Sequence, residues 1–595
     1  MAKVLVFGID AMDPKIFNKL KDKLPNFSKL EFSELQTSIP PETPVAWSVI
    51  STGLNPGKFG IFDFINRDPE TYTPQLNLAR EKKGIVKSEY ICAMKGTPFW
   101  RILSKNHIPC TVIRWPVTFP PEKIDGNMLS GLGVVDIKGM LNSYSYYTDE
   151  KIDENDKGKE KIVVIEKKGK VIDTFIRGPF IIKKKERREA NADMVIELEE
   201  KKIQVKIKGK KYELEEGKWS EIISAGFKLF SFLEVSGIFQ FYLESITPFR
   251  MYMTSVMIDP TNQILPITQP KEYGKELVET IGHFYTLGMA EDTKAVTENK
   301  LSLVAYEEQV TQIEEQRTKM LKYELERFEK GMLAVVFDAG DRLNHIFWSN
   351  KVLEGNKKNK KPEGLDISPQ IEKYYLEKDK LLGEVMTKLD SDDKLIVLSD
   401  HGFNSFEQEF NLNTWLVKEG YMKSKGDVGE MFDFVDWTQT KAYGIVFTSL
   451  YINQQGREGQ GIVKSEEKEK IIEKIQSKLL KIKHNGIDVF TNVYKGSEVF
   501  KGEYSETSPD LVVGFNQGFR MSEKSAIGTL DKEVIFENTG QWKGDHLIDR
   551  THVPGVLFTN FKIAKEKPSI LDIAPTVLKS MGVNIPEEMD GEALI

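Results

Sequence analysis

The chain is poor in cysteine and in histidine, and the shortage of cysteine removes two classes of protein. It has two cysteines and seven histidines in 595 residues. Cys92 and Cys110 are too few for a disulfide scaffold or for a zinc site built from cysteine. Cys110 opens an apolar run and is interpreted as a small buried residue.

Long apolar runs and an excess of positive charge are also missing. The formal net charge is −7 at pH 7, which offers no electrostatic footprint for nucleic acid. No run approaches the roughly 18 apolar residues that a membrane span needs, and no basic segment precedes a cleavable apolar stretch near the N-terminus. We therefore expect a cytoplasmic protein with no membrane span and no nucleic-acid partner, and the sequence leaves its oligomeric state open.

Short segments that are apolar throughout predict buried strands. They lie at Val4–Ile9, Cys110–Arg114, Leu333–Phe337, Leu395–Ser399, Leu511–Gly514 and Gly555–Phe558. Runs without alternation suit strands that are buried on both faces of a largely parallel sheet. Helix-like stretches such as Tyr374–Leu389 lie between them, so the pattern predicts a doubly wound, mostly parallel α/β core with helices on both faces.

The α/β pattern is interrupted between residues 137 and 330. A chain of 595 residues is too long for one ordinary core, so an insertion is expected. Alternating Lys/Glu-rich segments with Lys-Gly turns predict antiparallel hairpins over about 150–260, and about 272–330 has a helical pattern. We predict a core made of 1–136 and 331–595, with 137–330 as a cap or flank.

Three aspartates stand at or just after the ends of predicted core strands. They are Asp10, Asp341 and Asp400. Because ligands collect at the carboxyl ends of strands in such sheets, we expect the three side chains to share one site. His345 follows Asp341 by four residues and His401 adjoins Asp400. Carboxylate oxygen with imidazole nitrogen suits zinc and tolerates manganese or iron, so the pattern predicts a metal centre.

Each candidate also has an ordinary structural role. Asp10 could be only a helix N-cap, and a single histidine such as His345 is more often a core or surface residue. His546 and His552 lie close together, so either could be the late histidine of the site. Thr43 could be only a turn residue before a proline, unless a helix over 44–51 places its hydroxyl at a positive helix end where phosphate docks.

The ordered motifs resemble those of the alkaline phosphatase superfamily and, within it, the type I phosphodiesterase/nucleotide pyrophosphatase family. Thr43 precedes Thr52-Gly-Leu-Asn-Pro by nine residues, as in the family's nucleophile segment. Asp341-x-x-x-His345, Asp400-His401-Gly402 and Gly544-x-His546 follow in the family's order. The resemblance covers residues 1–135 and about 331–595.

The resemblance implies an alkaline-phosphatase-like core that binds two divalent metal ions, with zinc expected and manganese or iron as alternatives. The implied ligands are Asp10, Thr43, Asp400 and His401 for one ion, and Asp341, His345 and His546 for the other. Thr43 would attack phosphorus and form a covalent phospho-threonine, which water would then hydrolyse.

The implied function is hydrolysis of a small phosphate ester or nucleotide by a phosphodiesterase or nucleotide pyrophosphatase. A phosphomonoesterase, a phosphotransferase and a phosphoglycerate-mutase-like enzyme are alternatives within the superfamily, and a non-catalytic binding protein is the alternative outside it. The family carries an asparagine three residues after the threonine, where this chain has Ala46, so nucleotide preference is left open. Substrate contacts are expected from Arg520, Lys543 and Arg457.

Overall fold

The computed structural model describes residues 3–82, 89–153, 156–183, 186–230, 233–348, 367–426 and 431–595. The chain divides into two compact units, Met1–Cys110 with Phe328–Ile595, and Thr111–Arg327. The second unit ends at Arg327, close to the predicted boundary at residue 330. It begins at Thr111, well before the predicted boundary at residue 137. The grouping of all of 1–136 with the core stays a prediction.

Five strands form the central sheet of the first unit. They are β1 (Lys3–Ile9), β2 (Glu31–Leu35), β3 (Gly331–Phe337), β4 (Lys394–Leu398) and β5 (Gly555–Thr559). They lie in the order β2-β5-β4-β1-β3. β1 pairs in parallel with β3 and with β4, and all seven residues of β3 are buried, so the predicted α/β core is confirmed.

The strand at the end of the chain differs from the prediction in direction. β5 runs antiparallel to both of its neighbours, β4 and β2. The predicted strand at 511–514 is formed as Leu511–Phe515, but it lies in a separate antiparallel sheet with Ser449–Ile452 and Phe490–Lys495. A continuous apolar run reports burial on both faces, and it does not report strand direction.

Four helices flank these strands in the chain and carry or support the candidate site. They are α1 (Pro14–Leu20), α2 (Thr43–Thr52), α3 (Ala339–Phe347) and α4 (Pro369–Met386). The helix over 44–51, which was the condition for placing the Thr43 hydroxyl at a positive helix end, is present as α2. It has Pro44 in its first turn and ends at Gly53, whose φ of 66° is the left-handed conformation that glycine adopts readily.

The remaining elements of the first unit are short strands and helices around the central sheet. The strands are Ile65–Arg67, Pro74–Leu76, Ala79–Lys82, Glu89–Cys92, Asn404–Phe410, Ala442–Ile445, Ser449–Ile452, Lys483–His484, Ile487–Asp488, Phe490–Lys495, Leu511–Phe515, Gly518–Met521, Ile535–Glu537 and Gly544–Asp545. The helices are Pro56–Phe59, Phe99–Lys105, Leu412–Lys418, Ser465–Leu479, Gly496–Val499, Glu523–Ala526 and Ile573–Ser580.

The second unit is rich in strands at first and becomes helical towards its end. Its strands, with one that spans the division, are Cys110–Trp115, Gly126–Ser130, Ser145–Thr148, Ile162–Val164, Val171–Ile176, Phe180–Lys183, Glu186–Glu189, Ala192–Leu198, Lys202–Ile207, Lys210–Glu215, Ile223–Phe230, Leu233–Phe239, Phe241–Ile246, Phe249–Met253, Met257–Ile258 and Thr268–Gln269. Its helices are Glu272–Ile281, Thr293–Thr297 and Leu303–Glu326. The predicted Lys208-Gly-Lys hairpin joins Lys202–Ile207 to Lys210–Glu215.

In the described ranges, no helix combines the length and the apolar character needed to cross a membrane.

Candidate metal centre

Three carboxylates meet at one edge of the central sheet. Asp10 directly follows β1, Asp400 follows β4 after one intervening residue, and Asp341 lies in the first turn of α3, just after β3. Because β1 runs parallel to both β3 and β4, the three strands end at the same edge. The three side chains are buried.

Three histidines join these carboxylates, and each is oriented by a backbone carbonyl. The Nδ1 atoms of His345, His401 and His546 lie 2.9 Å from Gly544 O, 3.1 Å from Gly402 O and 2.7 Å from Pro41 O, respectively. An Nδ1–H that donates to a carbonyl leaves the lone pair on Nε2. This is the arrangement that fixes a histidine as a metal ligand.

The Nε2 atoms face the carboxylates at short distances. His401 Nε2 lies 3.2 Å from Asp400 Oδ2 and 3.8 Å from Asp10 Oδ1. The Nε2 atoms of His345 and His546 each lie 3.4 Å from Asp341 Oδ1. Two ligands of one tetrahedral zinc ion are separated by about 3.3 Å, since zinc–ligand bonds are about 2.0–2.1 Å long. The spacing fits ligands of bound cations.

Thr43 completes what we name the ligand cluster, which comprises Asp10, Thr43, Asp341, His345, Asp400, His401 and His546. Thr43 begins α2, and its Oγ1 lies 3.2 Å from His401 Nε2. The structure therefore brings all seven predicted residues together. His401 takes part in two sets of closely spaced ligands, one with Asp10 and Asp400 and one with Asp341 and His546.

One oxygen of each carboxylate is left without a hydrogen bond. Among the described residues, Asp10 Oδ1, Asp341 Oδ1 and Asp400 Oδ2 are buried and have no hydrogen-bond partner. Such groups are costly unless a cation binds them. These are the same oxygens that face the histidine nitrogens, so the residues present fit divalent metal ions.

The second oxygen of each carboxylate is held by the surrounding chain. Trp47 Nε1 donates to Asp10 Oδ2 at 2.9 Å, and Ala11 N donates to Asp400 Oδ1 at 3.3 Å. Asp341 Oδ2 lies 3.1 Å from Arg342 Nη1. The carboxylates are thus oriented by the protein, with their remaining oxygens directed at one another.

Burial and mutual repulsion shift the ionisation of the cluster. Burial raises the pKa of Asp10 and of Asp400 well above the ordinary value of 3.8, and neighbouring carboxylates raise it further. Burial opposes ionisation of Asp341 too, but the charges of His345 and Arg342 hold its pKa well below that value. Burial also lowers the pKa of His401 and His546, which favours the neutral imidazole that binds metal.

Several supporting residues escaped the sequence analysis. Trp47 orients Asp10, and a Cβ on Gly8 would lie 2.4 Å from its ring, so β1 needs glycine there. Asp13 caps α1 and accepts from Phe403 N at 3.0 Å, which ties the first loop to the segment after His401. Gly8 and Asp13 lie close to Asp10 in the sequence, which could have drawn attention to them, but their partners Trp47 and Phe403 lie far away in sequence.

Arg342 and Glu42 adjoin cluster residues in the sequence and were also missed. Glu42 precedes Thr43, is buried, and its Oε2 has no hydrogen-bond partner in the described part of the chain. Burial raises the pKa of Glu42 well above the ordinary value, Asp63 raises it further, and the Arg342 charge opposes the increase. A charged residue next to a catalytic candidate was a signal that could have identified both.

The three residues expected to contact substrate form other interactions in the structure. Arg520 is buried and contacts Asp545 Oδ2 at 2.6 Å and Glu409 Oε1 at 3.1 Å. Arg457 contacts Asp510 Oδ2 at 2.6 Å. The Lys543 ammonium donates to Gly540 O at 2.7 Å. Arg520 thereby anchors the residue before His546, and a substrate role for the three stays a prediction.

The choice between the two late histidines is resolved by geometry. His546 lies in the cluster, and its ring stacks on that of His401 at 3.8 Å between centroids. His552 Nε2 instead lies 2.7 Å from Thr491 Oγ1. Only the first of these two histidines is therefore placed to act as a metal ligand.

Comparisons with known proteins give a family match and similar solved structures. A sequence model of the type I phosphodiesterase / nucleotide pyrophosphatase family matches residues 4–204 and 270–547. Murine ectonucleotide pyrophosphatase / phosphodiesterase 5 is a similar solved structure, with 11% identity, a TM-score of 0.43, and coverage of 98% of this chain and 96% of that chain. The human protein of the same name has 11% identity and a TM-score of 0.43, and the match covers 99% of this chain and 97% of that chain. Comparison with curated proteins gives no match.

Proposed function

This chain belongs to the type I phosphodiesterase / nucleotide pyrophosphatase family and is a hydrolase of phosphoric ester bonds, and we propose that it cleaves phosphodiesters or pyrophosphates with two metal ions and Thr43 as nucleophile. One observation carries the proposal. Three buried carboxylate oxygens without hydrogen-bond partners among the described residues face three oriented histidines, and one of these histidines contacts the Thr43 hydroxyl.

The proposed ligand sets follow the two sides of the cluster. Asp10, Thr43, Asp400 and His401 would hold one ion, and Asp341, His345 and His546 would hold the other. Zinc is the proposed metal because the donors mix carboxylate oxygen with imidazole nitrogen, and manganese or iron are alternatives. Two bound divalent ions would stabilise charge on both the attacking and the leaving oxygen of an in-line displacement.

The position of Thr43 suits a nucleophile. Its hydroxyl lies at the N-terminal end of a ten-residue helix, where the partial positive charge favours a phosphoryl group. In the first step, the Thr43 hydroxyl gives its proton to solvent, Oγ1 bonds to phosphorus, the bond from phosphorus to the leaving oxygen breaks, and the leaving group takes up a proton from solvent. In the second, water adds to phosphorus, and the bond to Thr43 breaks and restores the hydroxyl.

The rest of the cluster is rigid enough to support this chemistry. Pro44 fixes the first turn of α2, and the packing of Trp47 against Gly8 joins that helix to β1. Carbonyl contacts to all three histidines hold the imidazoles in place. A site held by buried elements positions its groups without reorganisation during the reaction.

A substrate panel tests the reaction class. Metal-reconstituted protein would be assayed with p-nitrophenyl phosphate, bis-p-nitrophenyl phosphate, dinucleotides and glycerophospho-esters. The proposal predicts the highest kcat/KM for a diester or a pyrophosphate. A strong preference for the monoester would overturn that assignment in favour of a phosphomonoesterase.

A trapping experiment tests the covalent step. Protein quenched in acid during turnover should carry a phosphoryl or phosphonucleotidyl adduct on the peptide containing Thr43, detected by mass spectrometry. Thr52 lies in the same helix and donates instead to Ser48 O, so Thr52→Ala is the matched control and should keep the adduct. Rapid turnover without any adduct, or an adduct that persists in Thr43→Ala, would exclude Thr43 as the nucleophile.

A further inference from the structure

A cationic side chain stands beside the ligand cluster without being one of the proposed metal ligands. Arg342 follows Asp341 in α3, and its Nη1 lies 3.1 Å from Asp341 Oδ2. Its side chain is 13% exposed, whereas that of Asp341 is 3% exposed. The guanidinium therefore lies at the margin of the buried cluster, where it can contact a molecule that enters the site.

The first turn of α2 offers few donors for a phosphoryl oxygen. Pro44 has no N–H, Ala46 has no polar side chain, and Ala46 N donates to Glu42 O at 2.8 Å. The indole N–H of Trp47 is engaged by Asp10. Phosphoryl transfer gains much of its rate from donors aimed at the non-bridging oxygens, so another group must supply them.

Other cations near the cluster are oriented elsewhere. Arg520 is enclosed by Asp545 and Glu409, and the Lys543 ammonium donates to a backbone carbonyl. Arg342 contacts the cluster itself. Its guanidinium has five N–H groups in a fork, so it can hold Asp341 and a phosphoryl oxygen together.

We propose that Arg342 binds a non-bridging phosphoryl oxygen of the substrate while its other contact orients Asp341. The inference rests on the proposed function and extends it by naming the residue that recognises the anionic group. Arg342 would then touch the reacting group during both steps at phosphorus, and it would also hold the phosphate product.

The test measures binding of inorganic phosphate as well as catalysis. Arg342→Ala, Arg342→Lys and the wild type would be loaded with zinc, analysed for metal content and titrated with phosphate by calorimetry. A hydrogen bond to a charged group is worth enough to predict a loss of about 10- to 100-fold in phosphate affinity for Arg342→Ala. Metal content should stay at the wild-type value.

The catalytic activity of the Arg342 variants should fall together with their phosphate affinity. Loss of one donor to the developing charge predicts a fall of about 100-fold in kcat/KM for Arg342→Ala. Arg342→Lys should recover part of it, because it restores the charge without the fork. Added guanidinium ion should also raise the activity of Arg342→Ala. Arg101→Ala removes an exposed arginine of the Phe99–Lys105 helix and should match the wild type.

Two results would overturn the inference. Unchanged phosphate affinity in Arg342→Ala would show that the guanidinium does not contact the anion. Loss of metal together with phosphate binding, without rescue by guanidinium, would limit Arg342 to orienting Asp341. Should the wild type hydrolyse no ester, the proposed function would fail separately, because the phosphate titration still reports whether Arg342 binds the anion.

Discussion

Two groups of charged side chains in the first unit, each built around buried carboxylate, contrast in how that carboxylate is satisfied. In the ligand cluster, three carboxylate oxygens have no hydrogen-bond partner within the described chain. In a second group, which we name the ion-pair cluster (Arg457, Lys468 and Asp510), Asp510 Oδ2 contacts Arg457 Nη2 at 2.6 Å and Oδ1 contacts Lys468 Nζ at 2.7 Å. Asp510 Oδ2 also accepts from Ile452 N at 2.6 Å.

The difference separates structural from functional burial of charge. Asp510 and Asp10 are both buried, yet the pKa of Asp510 is lowered, because Arg457 and Lys468 outweigh the effect of burial. Burial and neighbouring carboxylates raise the pKa of Asp10. Where the chain supplies the positive charge itself, the carboxylate stabilises the fold. Where it does not, we propose that the carboxylates bind cations from solution.

The largest expected effect lies in the ligand cluster and concerns activity. Thr43→Ala should reduce kcat by at least about 10⁴-fold, because the proposed nucleophile is lost. Thermal unfolding should stay near that of the wild type, since among the described residues the Thr43 hydroxyl forms a hydrogen bond only with His401, within the site itself. Full turnover by Thr43→Ala with metal bound would contradict the covalent mechanism.

The ion-pair cluster should respond in stability and leave activity unchanged. Asp510→Asn leaves Arg457 and Lys468 without their shared carboxylate, so we expect unfolding free energy to fall by about 3 kcal/mol. Urea denaturation measures the loss, with Asp433→Asn, an exposed carboxylate, as the control. Activity per folded molecule should be unchanged, and a large fall in kcat would undo the contrast between the two clusters.

In the metal-free protein, removing a carboxylate from the ligand cluster should increase the free energy of unfolding, whereas removing Asp510 should decrease it. Asp10→Asn removes one of the mutually repelling buried carboxylates, so it should raise unfolding free energy by about 1–2 kcal/mol at neutral pH. The same substitution should weaken metal binding. Calorimetric unfolding after chelation measures the change in unfolding free energy. If Asp10→Asn instead destabilised the metal-free protein, the carboxylates would be compatible with the fold without cations.

The smallest expected difference between the two clusters is in how each makes the stability of the metal-free protein depend on pH. The folded pKa of Asp10 and Asp400 lies above the ordinary 3.8, so the unfolded chain loses these protons first and stability falls as pH rises above that value. The folded pKa of Asp510 lies below 3.8, so its stabilisation is present above 3.8 and is lost as pH falls through the folded pKa.

Melting temperatures of the metal-free protein across the acid to neutral range measure both slopes. Asp10→Asn should flatten the decline towards neutral pH, and Asp510→Asn should remove part of the loss in acid. If stability declined with rising pH equally in Asp10→Asn and in the wild type, the groups responsible would lie outside the ligand cluster.

The sequence predicted the cluster better than its surroundings, for physical reasons. Asp10, Asp341 and Asp400 follow core strands, and the parallel arrangement of those strands brings them together. The direction of β5 could not be derived, because an apolar run records burial alone. The partners of Arg520 and Arg457 could not be derived either, because Asp545 and Asp510 are brought to them by packing between elements distant in sequence.

The most direct test of the account is the location of bound metal. Crystals of the protein reconstituted with zinc would be measured on both sides of the zinc absorption edge. The account predicts two anomalous peaks, one among Asp10, Asp400 and His401 and one among Asp341, His345 and His546, about 4 Å apart. A single peak, or none within the ligand cluster, would contradict it.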